Sequence, residues 1–427
     1  MSDLVVTDLL AFLGASPTPF HAVDQGRRRL EAAGFRRLDE ADRWDTLAAG
    51  AYYTTTSGSN LIAFALPPPA KRTRFCIVGA HTDSPNLRLK PSPEYTAEGY
   101  AQLGVEVYGG ALLNSWLDRD LGLAGRALIR GERGRIESRL VRLDHPVLRV
   151  PQLAIHLDRE VNDKGLVLNR QDHLAPVLGL TAGGAGSLAQ LVADAAGVAE
   201  DRLAGHELML FDLTPPALGG QGDEFVFSAR LDNLAMCHAA LSAIDPLGAG
   251  AAEAIAVIAL FDHEEVGSGS AAGAAGAVLP RALERLVPDR ETFHQACARS
   301  ACVSADMSHA VHPNYPGRHE PRHKPQINGG PVIKTNSQQR YATTPATAAM
   351  FAELCREQGV PVQHYAHRTD LPCGSTIGPI TSTQLGIATV DVGNPMLSMH
   401  SAREMGGSRD PQMMTRVLAS FLRGAAA

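Results

Sequence analysis

Near the start of the chain, apolar positions recur with a helical period and then give way to short continuous runs. The helical spacing covers LVVTDLLAFLGAS, which stops at Gly14, and SPTPFHAVDQGRRRLEAAGF, which has a Ser/Thr/Pro start and ends at Gly34. The continuous runs are LIAFAL and RFCIVGAHTDSP, which are typical of buried strands. Helices followed by buried strands indicate an α/β fold.

From about Tyr95 to Phe227 the pattern changes to short alternating segments separated by turn residues. Four of these segments predict strands: AQLGVEVYGG, GRALIRG, RIESRLVRL and QLAIHLD. The α/β pattern then returns, with segments such as AIAVIALFDHEE and ACVSADMSHAV, and closes with a helix in PQMMTRVLASFLRG. We therefore expect a main α/β domain formed by residues 1–94 and 228–427, with a β-rich domain of residues 95–227 inserted into it.

The composition is that of a soluble globular protein, because 44% of the 427 residues are hydrophobic and 20% are charged. A net charge of −6 provides no general attraction for nucleic acid or anionic membrane surfaces. We expect no membrane span, because no long apolar run lacks charge, and no signal peptide, because the N-terminus lacks a basic region. The six cysteines are scattered singly, which favours the reducing cytoplasm over a disulfide scaffold or a structural zinc site.

Ionisable side chains follow apolar strands at five places along the chain. Ligands of an open α/β sheet bind beyond the carboxyl ends of its strands, so residues distant in sequence can meet at one edge. Imidazole and carboxylate groups suit zinc, manganese or cobalt, and two-metal sites need bridging groups such as carboxylates. The pattern therefore predicts a site for two divalent metal ions. Its members are His81 and Asp83, Asp232, Glu264 and Glu265, Asp306, and His400.

Each of these residues also has an ordinary structural explanation. A single histidine at a strand end is usually a hydrogen-bonded polar residue, and adjacent glutamates usually form a solvated turn. Asp83 or Asp306 alone could cap a helix N-terminus. Five occurrences at the ends of apolar strands make coincidence a poor explanation. The nucleophile elbow G-x-S-x-G and the phosphate-binding pattern G-x-x-x-x-G-K-[ST] do not occur.

Seven blocks follow one another along the chain: GAHTDSPNLRLKP, SARLDNL, LFDHEEVGS, SADMSHAVHPNY, NGGPVIKTNSQQRYAT, DLPCGSTIGPI and MHSAREM. In order and spacing they resemble the aspartyl aminopeptidase family of cocatalytic zinc exopeptidases. The resemblance runs from about Ser16 to Leu422 and covers the inserted region through YGGALLNSWLDRDLGLAGR and PQLAIHLDR. It departs at Asp262–His263, where the family more often has Asn second. It implies a mixed-sheet catalytic domain of the zinc-exopeptidase type, an inserted β-rich dimerisation domain, and a homo-oligomer that is a tetrahedral dodecamer.

The resemblance also implies a role for each residue of the predicted site. His81 and Asp306 would bind one metal, and Glu265 and His400 would bind the other, with Asp232 bridging the two. Asp83 would orient His81 by accepting the other N–H of the imidazole. Glu264 would face the attacking water as general base and then donate the proton to the leaving amine. Both metals would be divalent, with zinc expected and manganese or cobalt as alternatives.

Four further residues are expected to contact substrate. The resemblance implies that His156, in the inserted domain, reaches the substrate of a neighbouring subunit, with direct metal contact as the less favoured alternative. Without the resemblance, the alternating pattern around His156 favours a core histidine of a strand. Lys334 would supply the cation of a pocket for an acidic first side chain, whereas an ordinary lysine at a strand end is solvated. His309 and Tyr341 would hydrogen-bond the same substrate carboxylate.

We therefore expect a zinc-dependent aminopeptidase that acts on peptides with a free N-terminus and prefers Asp or Glu in the first position. The alternatives are a member of the same family that prefers neutral residues, another dimetal hydrolase such as a carboxypeptidase or N-deacylase, and a non-catalytic interaction protein. The pair Glu264–Glu265 argues against the last alternative, because a binding module has no need of a general base.

Overall fold

A computed structural model describes residues 2–183, 186–244 and 254–424. The α-helices of this part of the chain are α1 (Ser2–Ala15), α2 (Pro19–Ala32), α3 (Val161–Lys164), α4 (Leu188–Ala196), α5 (Leu231–Ile244), α6 (Val278–Leu286), α7 (Arg290–Ala298), α8 (Pro345–Glu357), α9 (Ile377–Leu385) and α10 (Asp410–Leu422). The strands are β1 (Arg36–Arg37), β2 (Gly50–Thr56), β3 (Asn60–Leu66), β4 (Phe75–His81), β5 (Asn86–Ala97), β6 (Tyr100–Tyr108), β7 (Leu121–Arg130), β8 (Ile136–Leu148), β9 (Val177–Leu180), β10 (Leu203–Asp212), β11 (Ala217–Gly219), β12 (Phe225–Ser228), β13 (Ile255–Phe261), β14 (Ala301–Ala305), β15 (Ser308–His309), β16 (Val332–Thr335), β17 (Gln363–Ala366), β18 (Ala388–Gly393), β19 (Pro395–Leu397) and β20 (Glu404–Gly407).

The chain divides into two compact units. The first contains Met1–Asp83, Pro216–Met399 and Glu404–Ala427, and the second contains Ser84–Pro215 together with His400–Arg403. The chain therefore leaves the first unit directly after β4 and returns to it before β11. The assignment of residues 95–227 as an oligomerisation domain stays a prediction.

A nine-stranded sheet organises the first unit, with the strand order β1-β2-β3-β13-β4-β14-β18-β16-β17. Its four central strands, β13, β4, β14 and β18, are parallel to one another, whereas β3 and β16, which flank them, pair antiparallel with β13 and β18. The carboxyl ends of the central strands consequently meet at one edge of the sheet. The predicted α/β class with a mixed sheet is confirmed.

Strand β4 shows why the central strands read as continuous apolar runs. Successive side chains of a strand point to opposite faces, and helices cover both faces of this sheet. Phe75 and Ile77 belong to the core that includes residues of α6, α7 and α9. Cys76, Val78 and Ala80 belong to the opposite core, to which α1, α2, α5, α8 and α10 contribute. Every residue of β4 is therefore buried, and the strand shows no polar alternation.

The second unit contains a six-stranded sheet in the order β8-β7-β10-β5-β6-β9, and each neighbouring pair is antiparallel. One face is covered by a core that includes Trp116 and residues of α4. The prediction of a strand in QLAIHLD is wrong, because this segment forms a turn in which the N–H of Leu157 donates to the carbonyl of Ala154. Leu153, Ile155 and Leu157 are all exposed, so the alternating pattern does not pair with a sheet.

Helix α1 is held to the first unit by a partly buried polar cluster around Asp8. The guanidinium of Arg29 on α2 donates two hydrogen bonds to the Asp8 carboxylate, at 2.6 and 2.8 Å. Nε2 of His238 on α5, a buried histidine, lies 2.8 Å from Oδ2 of the same carboxylate. The hydrogen bonds from His238 and Arg29 hold the pKa of Asp8 well below its usual range. One carboxylate therefore joins three helices.

We predict that Asp8→Asn lowers the free energy of unfolding at pH 7 by about 1–2 kcal/mol, the range for hydrogen bonds to charged groups, reduced because Asp8 is half exposed. Because the folded-state pKa of Asp8 is depressed, its stabilisation is present above the unfolded value of about 3.9 and is lost as the pH falls below it. Denaturant unfolding at pH 7 and pH 3 measures both effects. Asp45→Asn, which removes an exposed surface ion pair with Arg43, is the control. Equal losses in the two variants would contradict the role assigned to Asp8.

Candidate metal centre

The carboxyl ends of β4, β13 and β14 place a histidine among carboxylates. His81 ends β4 opposite Phe261 of β13, and Asp306 directly follows β14. Nε2 of His81 lies 3.5 Å from Oδ1 of Asp232, 3.5 Å from Oδ1 of Asp306 and 3.9 Å from Oε2 of Glu264. The fold thus brings His81 close to residues that follow it by 151 (Asp232), 183 (Glu264) and 225 (Asp306) positions in the sequence.

Asp232 lies at the start of α5, and two hydrogen bonds fix that helix start against the sheet. The carboxylate of Glu404 on β20 accepts the backbone N–H of Asp232 at 3.2 Å. The side-chain amide of Asn233 donates to the carbonyl of Ala305 at 2.9 Å, which joins α5 to the end of β14. Sequence reasoning did not identify Glu404 or Asn233, although both lie inside the blocks that carry the resemblance.

Asp83 explains why two adjacent glutamates follow β13. Its Oδ1 accepts the backbone N–H of Glu264 and its Oδ2 accepts that of Glu265, each at 3.1 Å. The same Oδ1 atom also lies 3.3 Å from Nδ1 of His81, and the backbone carbonyl of Asp83 lies 3.0 Å from that nitrogen. A single buried carboxylate therefore positions the histidine and the turn that carries both glutamates.

The turn after β13 brings both glutamates back toward the end of β4. His263 adopts a left-handed conformation with φ of 63°, and Gly267 closes the turn with φ of 94°. Nδ1 of His263 lies 2.7 Å from Oγ of Ser270, which ties the turn to the Gly/Ser/Ala loop. A left-handed residue reverses the chain directly after the strand, so Glu264 and Glu265 turn back toward the end of β4.

The donor set fits a divalent metal ion. One ligand atom from each of His81, Asp232 and Glu265 can be chosen so that all three lie within 4.8 Å of one another. Imidazole nitrogen and carboxylate oxygen are suitable ligands for zinc, manganese and cobalt. The carboxylates around the imidazole also need a compensating positive charge, because buried like charges repel. Burial lowers the pKa of His81, but the hydrogen bonds that its imidazole donates to Asp232, Asp306 and Asp83 outweigh this effect and raise the pKa well above its usual value.

Glu264 has the electrostatic environment of a proton-transfer group. Burial, assisted by the charges of Asp306, Asp83 and Asp232 and opposed by His81, raises the pKa of its carboxyl group to about 8. A divalent cation nearby lowers the pKa of a carboxyl group, so a bound metal brings this value back toward neutrality or below. A carboxylate whose proton affinity can be adjusted in this way suits general base catalysis near neutral pH.

His400 and His156, two of the predicted site residues, belong to the second unit. Nδ1 of His400 lies 3.2 Å from the carbonyl oxygen of Gly110. His156 is exposed and lies in the turn at residues 155–157, so the alternative of a core histidine is wrong. Ligation of metal by His400 and contact of His156 with substrate stay predictions.

Lys334 is buried, whereas the sequence predicted that its ammonium group would face substrate. Its Nζ donates to the backbone carbonyls of Asp306 and Met307, at 2.8 and 3.2 Å. The aromatic ring of Tyr341 lies with its centroid 5.2 Å from the same nitrogen. The imidazole of His309 lies 5.9 Å, between ring centroids, from Tyr365, a residue that sequence reasoning did not identify, and burial of the ring lowers the pKa of His309 to about 4. Substrate contacts of Lys334, His309 and Tyr341 stay predictions.

A second histidine motif does not form a metal site of the helical kind. Residues His319 to His323 read H-E-P-R-H, which matches the letters of the zinc motif H-E-x-x-H. That motif requires a helix that places both histidines on one face, but here Pro321 and Arg322 form a turn. Nδ1 of His323 contacts the Glu320 carboxylate instead.

The α/β fold and the set of metal-binding side chains are typical of a metal-dependent hydrolase, and the comparisons with known proteins agree. A family model described as Aminopeptidase I zinc metalloprotease (M18) matches residues 12–422. The probable M18 family aminopeptidase 2 of Pseudomonas paraeruginosa (strain DSM 24068 / PA7) is 49% identical over 419 residues, which cover 97% of this chain and 96% of that protein.

Solved structures are similar over nearly the whole chain. A chain of the cryo-EM structure of the Ape4 and Nbr1 complex has a TM-score of 0.95 and 39% identity, covering 99% of this chain and 86% of that one. A chain of the S. cerevesiae mApe1 dodecamer has a TM-score of 0.86 and 31% identity, covering 99% and 98%.

The chain belongs to the M18 family of aminopeptidases and is a metalloaminopeptidase. The resemblance and the zinc-exopeptidase fold predicted from the sequence are confirmed. Within the described residues, no helix is both long and apolar enough to cross a membrane.

Proposed function

We propose that this metalloaminopeptidase hydrolyses the N-terminal residue of peptides with two divalent metal ions and with Glu264 as general base, and that it prefers Asp or Glu. The observation that carries the proposal is the position of the His81 imidazole at the carboxyl end of β4, where its Nε2 lies within 3.9 Å of the carboxylates of Asp232, Glu264 and Asp306. Such a buried cluster of acids has little structural use unless a cation joins it.

Five residues would hold the metals. His81, Asp306 and the bridging Asp232 would hold one ion, and Asp232, Glu265 and His400 the other. Zinc is supported by the description of the family. A pair of metal ions is supported by the composition of the site, where several carboxylates surround the single histidine His81. Metal ions bound there supply Lewis acidity, which lowers the pKa of water toward about 7 and polarises the scissile carbonyl.

Glu264 has the role of moving one proton. Its carboxylate takes the proton of the attacking water and delivers it to the nitrogen of the leaving amine, which departs as a neutral group. Asp83 supports this transfer, since its hydrogen bond to the backbone N–H of Glu264 limits the motion of the turn. Glu265, held by the same carboxylate, takes the metal-ligating role, and the difference between the neighbours can be tested directly.

We predict that Glu264→Gln retains its metals but lowers kcat by about 10²–10⁴-fold, the usual cost of losing a general base. Glu265→Gln should instead lower the zinc content after dialysis, because an amide is a poorer ligand than a carboxylate. Metal analysis and peptidase assays on both variants measure the difference. Glutamine has nearly the same size, so each variant serves as the steric control for the other.

Two results would contradict this assignment. Loss of metal in Glu264→Gln with normal activity per bound metal would exchange the roles of the two glutamates. Full activity of the unmutated enzyme after exhaustive chelation, with metal content confirmed near zero, would refute metal dependence altogether.

The preference for Asp or Glu is supported by the resemblance to aspartyl aminopeptidases and by hydrogen-bonding groups close to Asp306. His309 follows Asp306 by three positions in the sequence. The positively charged ammonium group of Lys334 lies close to both Asp306 and the Tyr341 ring. The second candidate, a preference for neutral residues, is favoured by the protein contacts of the Lys334 ammonium, which leave it few donors for a substrate carboxylate.

We predict that chromogenic amides of Asp and Glu are hydrolysed with a higher kcat/KM than those of Leu and Ala. An ionic contact between substrate and a partly buried site supplies the difference, about 2–5 kcal/mol when one charged partner is absent. The N-acetylated Asp amide is the control, because an aminopeptidase requires a free amine. Faster hydrolysis of Leu or Ala amides would establish the neutral preference, and hydrolysis of the acetylated amide would indicate a deacylase or endopeptidase.

We also propose a homo-oligomer, specifically a dodecamer, in the reducing cytoplasm. One similar chain forms the S. cerevesiae mApe1 dodecamer. The segment 151–170 of the second unit exposes five large apolar side chains, and large exposed apolar patches mark interaction surfaces. They are Leu153, Ile155, Leu157, Leu166 and Val167. The cytoplasmic assignment is supported by the six cysteines, all of which are free thiols.

We predict that His156→Ala keeps the assembled mass of the unmutated protein, twelve times the 45.3 kDa of one chain, and keeps its metals, but has a lower kcat. The exposed position of His156 on the apolar segment makes it available to a neighbouring subunit. Light scattering and peptidase assays measure the two properties. His145→Ala, an exposed histidine of β8, is the control. Unchanged kinetics in an assembled variant, or a monomeric unmutated protein, would contradict the proposal.

A further inference from the structure

Lys334 differs from the other lysines of the chain in its burial. The chain has five lysines, and Lys71, Lys164 and Lys324 are exposed while Lys90 is partly exposed. Lys334 is 2% exposed and is among the largest fully buried side chains of the described residues. Burying an ammonium group is costly unless nearby acceptors and charges compensate for the lost water. The contacts of its Nζ atom therefore indicate what the residue does.

Three acceptors from one loop surround the ammonium group. Its Nζ lies 2.8 Å from the carbonyl oxygen of Asp306, 3.2 Å from that of Met307 and 3.4 Å from Oδ2 of Asp306. An ammonium group has three N–H donors, so these acceptors match its capacity. The contacts differ from those of a pocket cation, whose donors would be directed toward open space.

The sheet explains how Lys334 reaches this loop. Lys334 lies on β16, and β18 separates β16 from β14, the strand that leads to Asp306. The long lysine side chain therefore extends across one intervening strand. The Lys334 side chain joins the loop after β14 to β16, a strand that does not pair with β14. Arginine or lysine alone among the side chains combines this length with several donors.

The two carboxylate oxygens of Asp306 have different neighbours. Oδ1 lies 3.5 Å from Nε2 of His81, on the side of the candidate metal centre. Oδ2 lies 3.4 Å from Nζ of Lys334, on the opposite side. A carboxylate with one oxygen tied to a buried cation keeps a fixed orientation, so its other oxygen is directed at the metal position.

A second buried carboxylate makes the position of the cation stable. Asp391 on β18 is fully buried and accepts hydrogen bonds from the Thr376 hydroxyl and the backbone N–H of Ala342, both at 2.6 Å. Burial raises the pKa of Asp391, and the charge of Lys334 opposes that shift. The ring of Tyr341 adds a cation–π contact at 5.2 Å. Lys334 is thus enclosed by protein groups on several sides.

We propose that Lys334 is a positioning residue that orients Asp306 for metal binding and thereby sets the metal affinity of the site. The inference rests on the proposed function in one respect, the ligation of metal by Asp306. It assigns Lys334 to the metal centre for every substrate, acidic or neutral.

The test compares Lys334→Met with Lys324→Met, which removes an exposed lysine of the same unit. Zinc affinity is measured on the metal-free proteins by competition with a chromogenic chelator. We expect the affinity of Lys334→Met to fall by about 10–100-fold, the usual effect of removing a group that orients a ligand. Lys324→Met should match the unmutated protein.

Kinetics supply the second readout. We expect kcat/KM of Lys334→Met to fall by similar factors on Asp, Glu and Leu amides at limiting zinc, and to recover in part at saturating zinc. Unchanged zinc affinity, with a loss confined to Asp and Glu amides, would overturn the inference and return Lys334 to the substrate pocket. Equal losses that saturating zinc does not reduce, with unchanged affinity, would also overturn it.

Lys334→Arg keeps the test decisive if the methionine variant does not fold. Arginine preserves the charge, but its planar fork cannot place donors on the same three acceptors. We therefore expect reduced zinc affinity in a variant whose metal-free circular dichroism is normal, and unchanged affinity would overturn the inference. If the unmutated protein binds zinc but cleaves none of the amides, the proposed function fails while the affinity measurement still decides the role of Lys334.

Discussion

The concentration of negative charge around His81 is the constraint on which the first unit depends. The carboxylates of Asp83, Asp232, Glu264 and Asp306 all lie within 3.9 Å of a nitrogen of one buried imidazole. Ionised groups this close repel one another strongly where water is largely excluded. Without added cations, the protein must protonate some of these groups, as the raised pKa values of His81 and Glu264 indicate. A metal cation removes that requirement, so the charge arrangement itself favours metal binding.

Holding such a cluster together requires rigid attachments that do not depend on the metal. Asp83 accepts two backbone N–H groups of the glutamate turn, Glu404 accepts the N–H of Asp232, and Asn233 donates to the end of β14. In each of these hydrogen bonds a side chain contacts a backbone group. Such bonds fix the position of a whole backbone segment, whereas a bond between two side chains fixes only the side chains. The ligands therefore stand close to one another before metal binding, and less conformational entropy is lost when a metal binds.

Much of this arrangement could be predicted because the central strands are parallel. Apolar runs followed by His81 or Asp306 indicate strand ends, and parallel strands bring such ends to one edge. The chemistry of the ends was therefore visible in the sequence, and the roles of particular residues came from the family resemblance. The segment around His156 was misread, since its alternation of apolar and polar residues is shared by a strand and by an exposed apolar loop. Only pairing with a neighbour distinguishes the two, and pairing is a tertiary property.

Lys334 shows a different limit of prediction from sequence. Its position in the sequence indicated a special role, but the sequence did not indicate which way its side chain points. A rare lysine after an apolar run indicates a special role, but the sequence cannot show that its side chain crosses β18 and meets Asp306. That contact depends on the strand order of the sheet, in which β16 and β14 are separated by one strand although the chain visits them in the order β14, β16, β18.

The same strand order brings Asp391 of β18 close to the end of β14, where its register partner is Ser304, two residues before Asp306. The buried ammonium group of Lys334 interacts favourably with both carboxylates. The sheet consequently supplies one fixed positive charge beneath the site and leaves the rest of the compensation to metal ions, which can be lost and regained without unfolding the sheet.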